Sequence, residues 1–404
     1  MFQFIPHRPD RITPFDIAAL PKIRFGWGIR HQLADYVAQI AQNPLFIVSK
    51  QVFHSDFGQA FFADVKNQGD PSYIEPVSGE PSPQQVDNIV ARAPADIDWV
   101  IGIGGGSALD TAKAVAGLLP SRTSVMDYLE GVGAGKPYPG DALPWLAVPT
   151  TAGTGSETTK NAVLSQLGQF KKSFRHETLV AKEAWLDPAF LPSLPEAVRY
   201  ATAMDAFTQL LESYVTRKAN PLTDALAWQG MQLWHQALAE THSPQETIRQ
   251  DAYGRLMLSA TLSGITLANA GLGAVHGLAG PVGAYCKAPH GMVCAALLAP
   301  ITAANITALQ QENTPQAQHT LHKYAQVGRL LMQDSALDEA AALASLQQKL
   351  HTLSQDYGPG SLARYGLNEE VIEQVIATCR AGSMLGNPVV LSDAVLADAL
   401  RQCL

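Results

Sequence analysis

Residues 101–116 read IGIGGGSALDTAKAVA, and the architecture of the first half of the chain turns on that run. A short apolar strand leads into three consecutive glycines, Gly104, Gly105 and Gly106, and a helical pattern begins at once. A strand that ends in glycines and opens a helix lets the backbone approach a bulky anion. The helix N-terminus then offers free N–H groups and a positive dipole to a phosphate. Ser107 and Asp110 stand three residues apart, which is also the spacing of a capping box, so the same letters suit a well-capped helix without a ligand. The run is not GxGxxG, because Ser107 occupies the third glycine's place, and it is not the P-loop GxxxxGK[ST].

Working outward, a second loop of the same kind follows. VPTTAGTGSETT (148–159) comes after the apolar run WLAVPTT (145–151) and holds five threonines, one serine and two glycines. Hydroxyls beside a glycine turn suit pyrophosphate and ribose, and two such loops at strand ends are what dinucleotide binding needs. PLFIVS (44–49), DWVIGIGG (98–105) and, more weakly, SYIEPV (72–77) read as strands. Helical patterns at 31–42, 52–65 and 83–92 lie between them, as parallel strands with crossover helices require.

From about Asp187 the pattern changes. DPAFLPSLPEAV is punctuated by proline, and helical periodicity then dominates at 202–214, 221–238, 252–270, 314–332, 339–353 and 369–379. The expected fold is therefore an N-terminal α/β dinucleotide-binding lobe with a parallel sheet, residues 1–190, followed by an all-helical lobe, residues 191–404. The chain from Leu256 to Cys286 carries no Asp, Glu, Lys or Arg. It is long enough for a membrane span, but Asn269, five glycines between Gly264 and Gly280, and Pro281 favour an interior helix followed by a turn-rich loop.

His276 is the one side chain in that stretch that titrates near neutral pH, and His290 follows fourteen positions later between Pro289 and Gly291. A buried imidazole needs a partner, since an unpaired polar group costs about 1–3 kcal/mol. A backbone carbonyl or a metal would serve. Cys286 and Cys294 flank His290 at four residues on either side, and both read as small buried hydrophobes rather than a thiolate site.

The bulk properties exclude some classes. The 404 residues are 47% apolar with a formal charge of −8, which argues against nucleic acid and anionic membranes as partners. Four cysteines without CxxC spacing need no disulfide framework and point to a cytoplasmic setting. MFQFIPHRPDRITPFD has no apolar region of the signal-peptide kind.

GGGSALDTAK, PTTAGTGSE, MDAFTQLLESY (204–214) and VHGLAGPVGAYCKAPHG (275–291) together resemble the iron-containing, group III alcohol dehydrogenases, within the dehydroquinate synthase-like superfamily. The motifs stand in the family's order. The resemblance implies a nicotinamide cofactor, one divalent metal (iron or zinc), a small alcohol or aldehyde substrate, and a homodimer or larger homo-oligomer. It places the metal carboxylate on Asp205 and two histidine ligands on His276 and His290, which act in catalysis through the metal. Gly105, Gly106, Ser107 and Asp110 would contact the phosphates and the nicotinamide end, Thr150, Thr151, Thr154 and Thr159 the other side, and Lys171 (or its neighbour Lys172) the nicotinamide ribose.

Two positions depart from the family pattern. Gln209 stands where the commonest members carry a histidine one helical turn after the aspartate, a harder and weaker ligand than imidazole. Gly280 stands where many members carry a proton-relaying histidine, so the proton is expected through water and the cofactor's ribose hydroxyl. These changes keep open a metal-independent reductase resembling maleylacetate reductase; a dehydroquinate synthase-like lyase is a more distant rival. At the end of the second strand NAD-preferring relatives look like VTD, where the acid bonds the 2′-hydroxyl. This chain has Val48-Ser49-Lys50, and a lysine there favours NADP(H) over NAD.

Overall fold

The computed structural model describes residues 14–69 and 73–404. Most of the N-terminal run read for a leader, and Ser72 of the weak strand, lie outside the described residues. The described chain divides into two compact units, one formed by residues 18–194 with 240–264, the other by residues 195–239 and 265–404 with residues 14–17.

The first unit contains β1 (Lys22–Phe25), α1 (Leu33–Ile40), β2 (Pro44–Ser49), α2 (Lys50–Phe53), α3 (Asp56–Gln68), β3 (Tyr73–Val77), α4 (Pro83–Arg92), β4 (Trp99–Gly104), α5 (Gly106–Leu118), β5 (Trp145–Pro149), β6 (Asn161–Gln166), β7 (Phe170–Arg175) and β8 (Glu183–Leu186). Six strands form one parallel sheet in the order β1-β8-β5-β4-β2-β3, and β6 pairs β7 in a separate antiparallel hairpin. The central strands are apolar without alternation because both faces are covered, as parallel sheets demand. Phe46, Val48, Ile101, Ile103, Leu146 and Val148 are buried in this core. From β2 the chain moves outward to β3, whereas from β4 it moves the other way through β5. The strand order therefore reverses between β2 and β4, and the crevice beyond their carboxyl ends is where such sheets bind ligands.

Residues 240–264, which follow the expected boundary near residue 190, cluster with this compact unit. Gly155 has φ +61°, and a Cβ there would lie 2.4 Å from the Gly264 Cα, so the two glycines let the loop and a helix touch backbone to backbone. Thr261 Oγ1 donates to Glu157 Oε1 at 3.0 Å beside that crossing.

The second unit is built from α6 (Glu196–Val215), α7 (Pro221–Trp234), α8 (Ala237–Glu240), the end of α9 (Glu246–Ala270), α10 (Ala274–Tyr285), α11 (His290–Glu312), α12 (Pro315–Met332), α13 (Glu339–Tyr357), α14 (Glu369–Thr378) and α15 (Asp393–Arg401). The turn-rich loop expected after the interior helix is confined to the break between α9 and α10, and the AVHGLAGPVGAY segment is helical despite Pro281. Burial of Val275, Leu278, Ala279 and Val282 overrides the weak local propensity. α11 is apolar enough to cross a membrane by composition, but 61% of its most apolar window is buried inside the protein. It packs on α6, α10, α12, α13 and α15.

Candidate active site

α6 supplies the first ligand candidate. It is buried from Ala203 to Val215, so its polar side chains must find partners inside the unit. Asp205 and Glu212 are seven residues apart, two helical turns, and therefore share a face. α10 brings in His276 near its first turn, and α11 begins with His290. Asp205 Oδ1 lies 3.2 Å from His276 Nε2 and 3.8 Å from His290 Nε2. The two rings sit 5.4 Å apart, centroid to centroid. Three of the four residues expected at a metal thus converge. Gln209 is buried on the intervening turn of α6.

A fourth donor stands among them that the sequence reading dismissed. Cys294 Sγ is 3.6 Å from His276 Nε2 and 3.8 Å from His290 Nε2. One donor atom from each of Asp205, His276, His290 and Cys294 fits within 4.8 Å of the others. Cys286 is also buried but is not part of this group.

Glu212 was missed as well. Its Oε2 accepts from His276 Nδ1 at 2.6 Å and from the His276 backbone N–H at 3.3 Å, and its Oε1 accepts from the Val275 N–H at 2.7 Å. Asn387 Oδ1 accepts from the Ala274 N–H at 3.0 Å. Side chains from elsewhere thus satisfy the first N–H groups of α10, which no local side chain caps. The same Glu212 carboxylate holds the Nδ1 proton of His276 and turns Nε2 toward Asp205. A carboxylate behind a ligating histidine is the usual support of a metal site. Its signal in the sequence was the stripe Asp205, Gln209, Glu212 at spacings of four and three.

The electrostatics match a place prepared for a cation. Burial works to raise the Asp205 carboxyl, but His290 and His276 outweigh it and hold the carboxyl below the usual carboxylate range. Burial opposes protonation of His276, yet Cys294, Asp205 and Glu212 together raise it well above a free imidazole. Burial pushes the Cys294 thiol up to about 12, with His276 opposing.

The glycine turn lies at the strand-order reversal in the other unit. α5 starts at Gly106 with Gly105 before it, and no side chain caps that end, so the expected capping role of Ser107 is not observed. Ser107 sits inside the first turn. Asp110 is turned away from the helix end: its Oδ1 accepts from Ser156 Oγ at 2.5 Å and its Oδ2 from the Val163 N–H at 3.0 Å. The second loop folds over the first. A Cβ on Gly106 would lie 2.7 Å from Thr154 Cγ2, and one on Gly105 3.2 Å from Thr151 Cγ2. Thr150 N–H donates to the Gly104 carbonyl at 2.9 Å. Gly105, Gly106, Thr150, Thr151 and Thr154 are therefore brought together around an uncapped helix end.

Lys113 ties the two loops and had not been singled out. Its ammonium is fully buried and donates to Ser156 O at 2.9 Å, Ser156 Oγ at 3.1 Å, Thr159 Oγ1 at 2.9 Å and Asn161 O at 2.8 Å. Thr159 thus faces Lys113. Lys171 lies on β7 with its ammonium 2.7 Å from Glu80 Oε2, and is engaged there. Lys50 is exposed at the carboxyl end of β2, across the reversal from the glycine turn.

One unit thus carries a doubly wound sheet with an uncapped glycine turn at its reversal point, and the other carries a buried cluster of N, O and S donors. Residues 21–188 match the family model for iron-containing alcohol dehydrogenase, and residues 199–403 match the model for the C-terminal part of the Fe-containing alcohol dehydrogenase family. The chain belongs to the iron-containing alcohol dehydrogenase family. It is similar to long-chain-alcohol dehydrogenase 1 of Geobacillus thermodenitrificans, 32% identical over 362 residues that cover 88% of this chain and 87% of that protein. It is 28% identical over 359 residues to the NAD-dependent methanol dehydrogenase of Bacillus methanolicus, covering 87% and 90% of the two. The solved alcohol dehydrogenase from Oenococcus oeni superposes with a TM-score of 0.83 at 25% identity, over 97% of this chain and 100% of that one. The protein is an oxidoreductase that interconverts alcohols and aldehydes with a nicotinamide cofactor.

Proposed function

We propose that this enzyme works with a divalent cation, iron or zinc, held by Asp205, His276 and His290, and that it prefers NADP(H) while accepting NAD. The observation that carries the metal reading is the convergence of Asp205, His276 and His290 with the tautomer of His276 fixed by Glu212. When bound, the cation supplies a Lewis acid for a carbonyl oxygen, and the nicotinamide supplies or takes the hydride. The chain's own groups do the rest. Asp205 offers the anionic charge, Glu212 keeps the proton on His276 Nδ1 and leaves Nε2 free to ligate, and the uncapped start of α5 offers N–H groups to the pyrophosphate. Gly280 carries no side chain one turn beyond His276, so a proton for the product hydroxyl would have to come from water or from a bound cofactor rather than from a side chain at that position.

The cofactor preference rests on Lys50, an exposed cation at the end of β2 where an acid would repel a 2′-phosphate. A homodimer or larger assembly is supported by the edge strand β1, whose flank exposes Ile23, Phe25 and Trp27. Light scattering reads that state. A cytoplasmic setting is supported by four free, buried cysteines.

Elemental analysis of the purified protein, followed by exhaustive chelation, tests the central reading. The expected result is about one equivalent of metal per chain and loss of activity that added iron or zinc restores. Full activity after the metal is gone overturns it in favour of the metal-independent reductase.

A further inference from the structure

The position that gives most family members a third histidine holds Gln209 here, which leaves one carboxylate and two imidazoles. Among the described His, Cys, Asp and Glu side chains, the one that joins the set is a cysteine. α11 begins at His290, so Cys294 lies one helical turn on and on the same face. A tetrahedral zinc site with bonds of about 2.0–2.1 Å to N or O and about 2.3 Å to S has N–O edges of about 3.4 Å and N–S edges of about 3.6 Å. The observed edges are 3.2 and 3.8 Å for the two N–O pairs and 3.6 and 3.8 Å for the two N–S pairs. Four edges of one tetrahedron agree with that geometry within a few tenths of an ångström. A cysteine placed for packing alone would be expected among apolar neighbours. This one faces two ring nitrogens, and its side chain is fully buried.

We propose that Cys294 ligates the metal as a thiolate, replacing the imidazole lost at Gln209 and giving an Asp-His-His-Cys donor set that favours zinc over iron. The proposal rests on the metal-dependent reading above. The Sγ–H bond breaks as the Sγ–metal bond forms, and the proton leaves to solvent, as metal binding to thiols requires. Thiolate is the softest donor of the four and shifts selectivity toward zinc. Catalytic zinc usually keeps one position open and can expand to five ligands in the transition state, so with four protein donors a substrate oxygen would have to enter as a fifth ligand.

The test uses the whole protein, stripped of metal and loaded with Co²⁺ alone. Thiolate ligation gives a sulfur-to-cobalt charge-transfer band in the near ultraviolet. The wild type is expected to show the band. Cys294→Ser is expected to lose it and to bind cobalt at least about tenfold more weakly, since changes behind the ligands alone cost 10–100-fold. In the double variant Cys294→Asn with Gln209→His, cobalt binding is expected to return without the band. X-ray absorption of the zinc-loaded wild type, which needs no variant to fold, is expected to show one sulfur at about 2.3 Å. Cobalt bound with no sulfur in its shell overturns Cys294 ligation and leaves the proposed metal function standing. No cobalt bound by equilibrium dialysis overturns both.

Discussion

Glu212→Gln is the substitution that asks most of the site, because it keeps the shape of the side chain and changes one hydrogen-bond sign. The carboxylate receives three donors: Val275 N–H on Oε1 at 2.7 Å, and His276 N–H and Nδ1–H on Oε2 at 3.3 and 2.6 Å. A glutamine has one oxygen for them. If that oxygen takes the Oε2 place, the amide NH₂ faces the Val275 N–H, and a buried donor loses its partner. If it takes the Oε1 place, the NH₂ faces His276 Nδ1 and stabilises the tautomer with the proton on Nε2, where the metal should bind. Either outcome weakens the site. Supporting residues of this kind are worth 10–100-fold in metal affinity, or about 1.4–2.8 kcal/mol. Competition against a coloured chelator reads the affinity, and unfolding in urea shows whether the fold is kept. A folded Glu212→Gln protein whose metal affinity stays within about threefold of wild type would refute the orienting role assigned to Glu212.

Other substitutions separate the remaining assignments. Lys113→Met removes a buried cation from four oxygen acceptors and leaves Asp110, whose oxygen lies 3.6 Å from the ammonium, without its counter-charge. Breaking a buried pair in this way costs about 3–5 kcal/mol, so urea unfolding should show a large loss; less than about 1 kcal/mol would mean the brace is dispensable. Lys50→Glu should lower the ratio of kcat/KM for NADP to that for NAD by at least about tenfold, roughly 1.4 kcal/mol, and an unchanged ratio removes Lys50 from cofactor choice. Gly280→Ala places a Cβ that meets nothing within 4 Å apart from its chain neighbours, but Pro281 crowds the Cβ of a helical residue before it, so the usual helix gain of about 0.5–1 kcal/mol should be largely cancelled in urea unfolding. A destabilised variant in urea would show that the space beside Gly280 is filled.

Much of the α/β unit was legible because its signals are local and redundant. PLFIV and WLAVP are buried along their whole length, and an unbroken apolar run of five residues between turn signals reads as a parallel strand. The strands that escaped notice lack that signal. KIRF is an edge strand with mostly exposed residues, EAWL is four residues long, and FKKSFR belongs to a hairpin outside the main sheet. The assignment of residues 240–264 to the first unit was not legible at all. It depends on Gly155 meeting Gly264, a pairing between positions 109 residues apart that no local pattern announces.

The two cysteines around His290 show why spacing alone did not reveal the fourth donor. In the sequence they are equivalent, four residues to either side, and the same argument dismissed both. In space they are not, because a helix begins at His290 itself. Four residues forward is one turn of α11, which returns Cys294 to the face of the imidazole, while four residues back is beyond a break, at the end of α10. A four-residue interval carries chemical meaning when both ends lie on one helix, and the local signs against a helix here, Pro289 before His290 and Gly291 after it, hid that this one does. Proline just before a helix is well tolerated, since the first N–H groups need no partner within the helix. Gly291 has a packing reason, since a Cβ there would lie 2.0 Å from the Ala201 carbonyl oxygen. The glycine that weakened the helix signal is thus what lets α11 press against α6 and bring His290 and Cys294 up to Asp205.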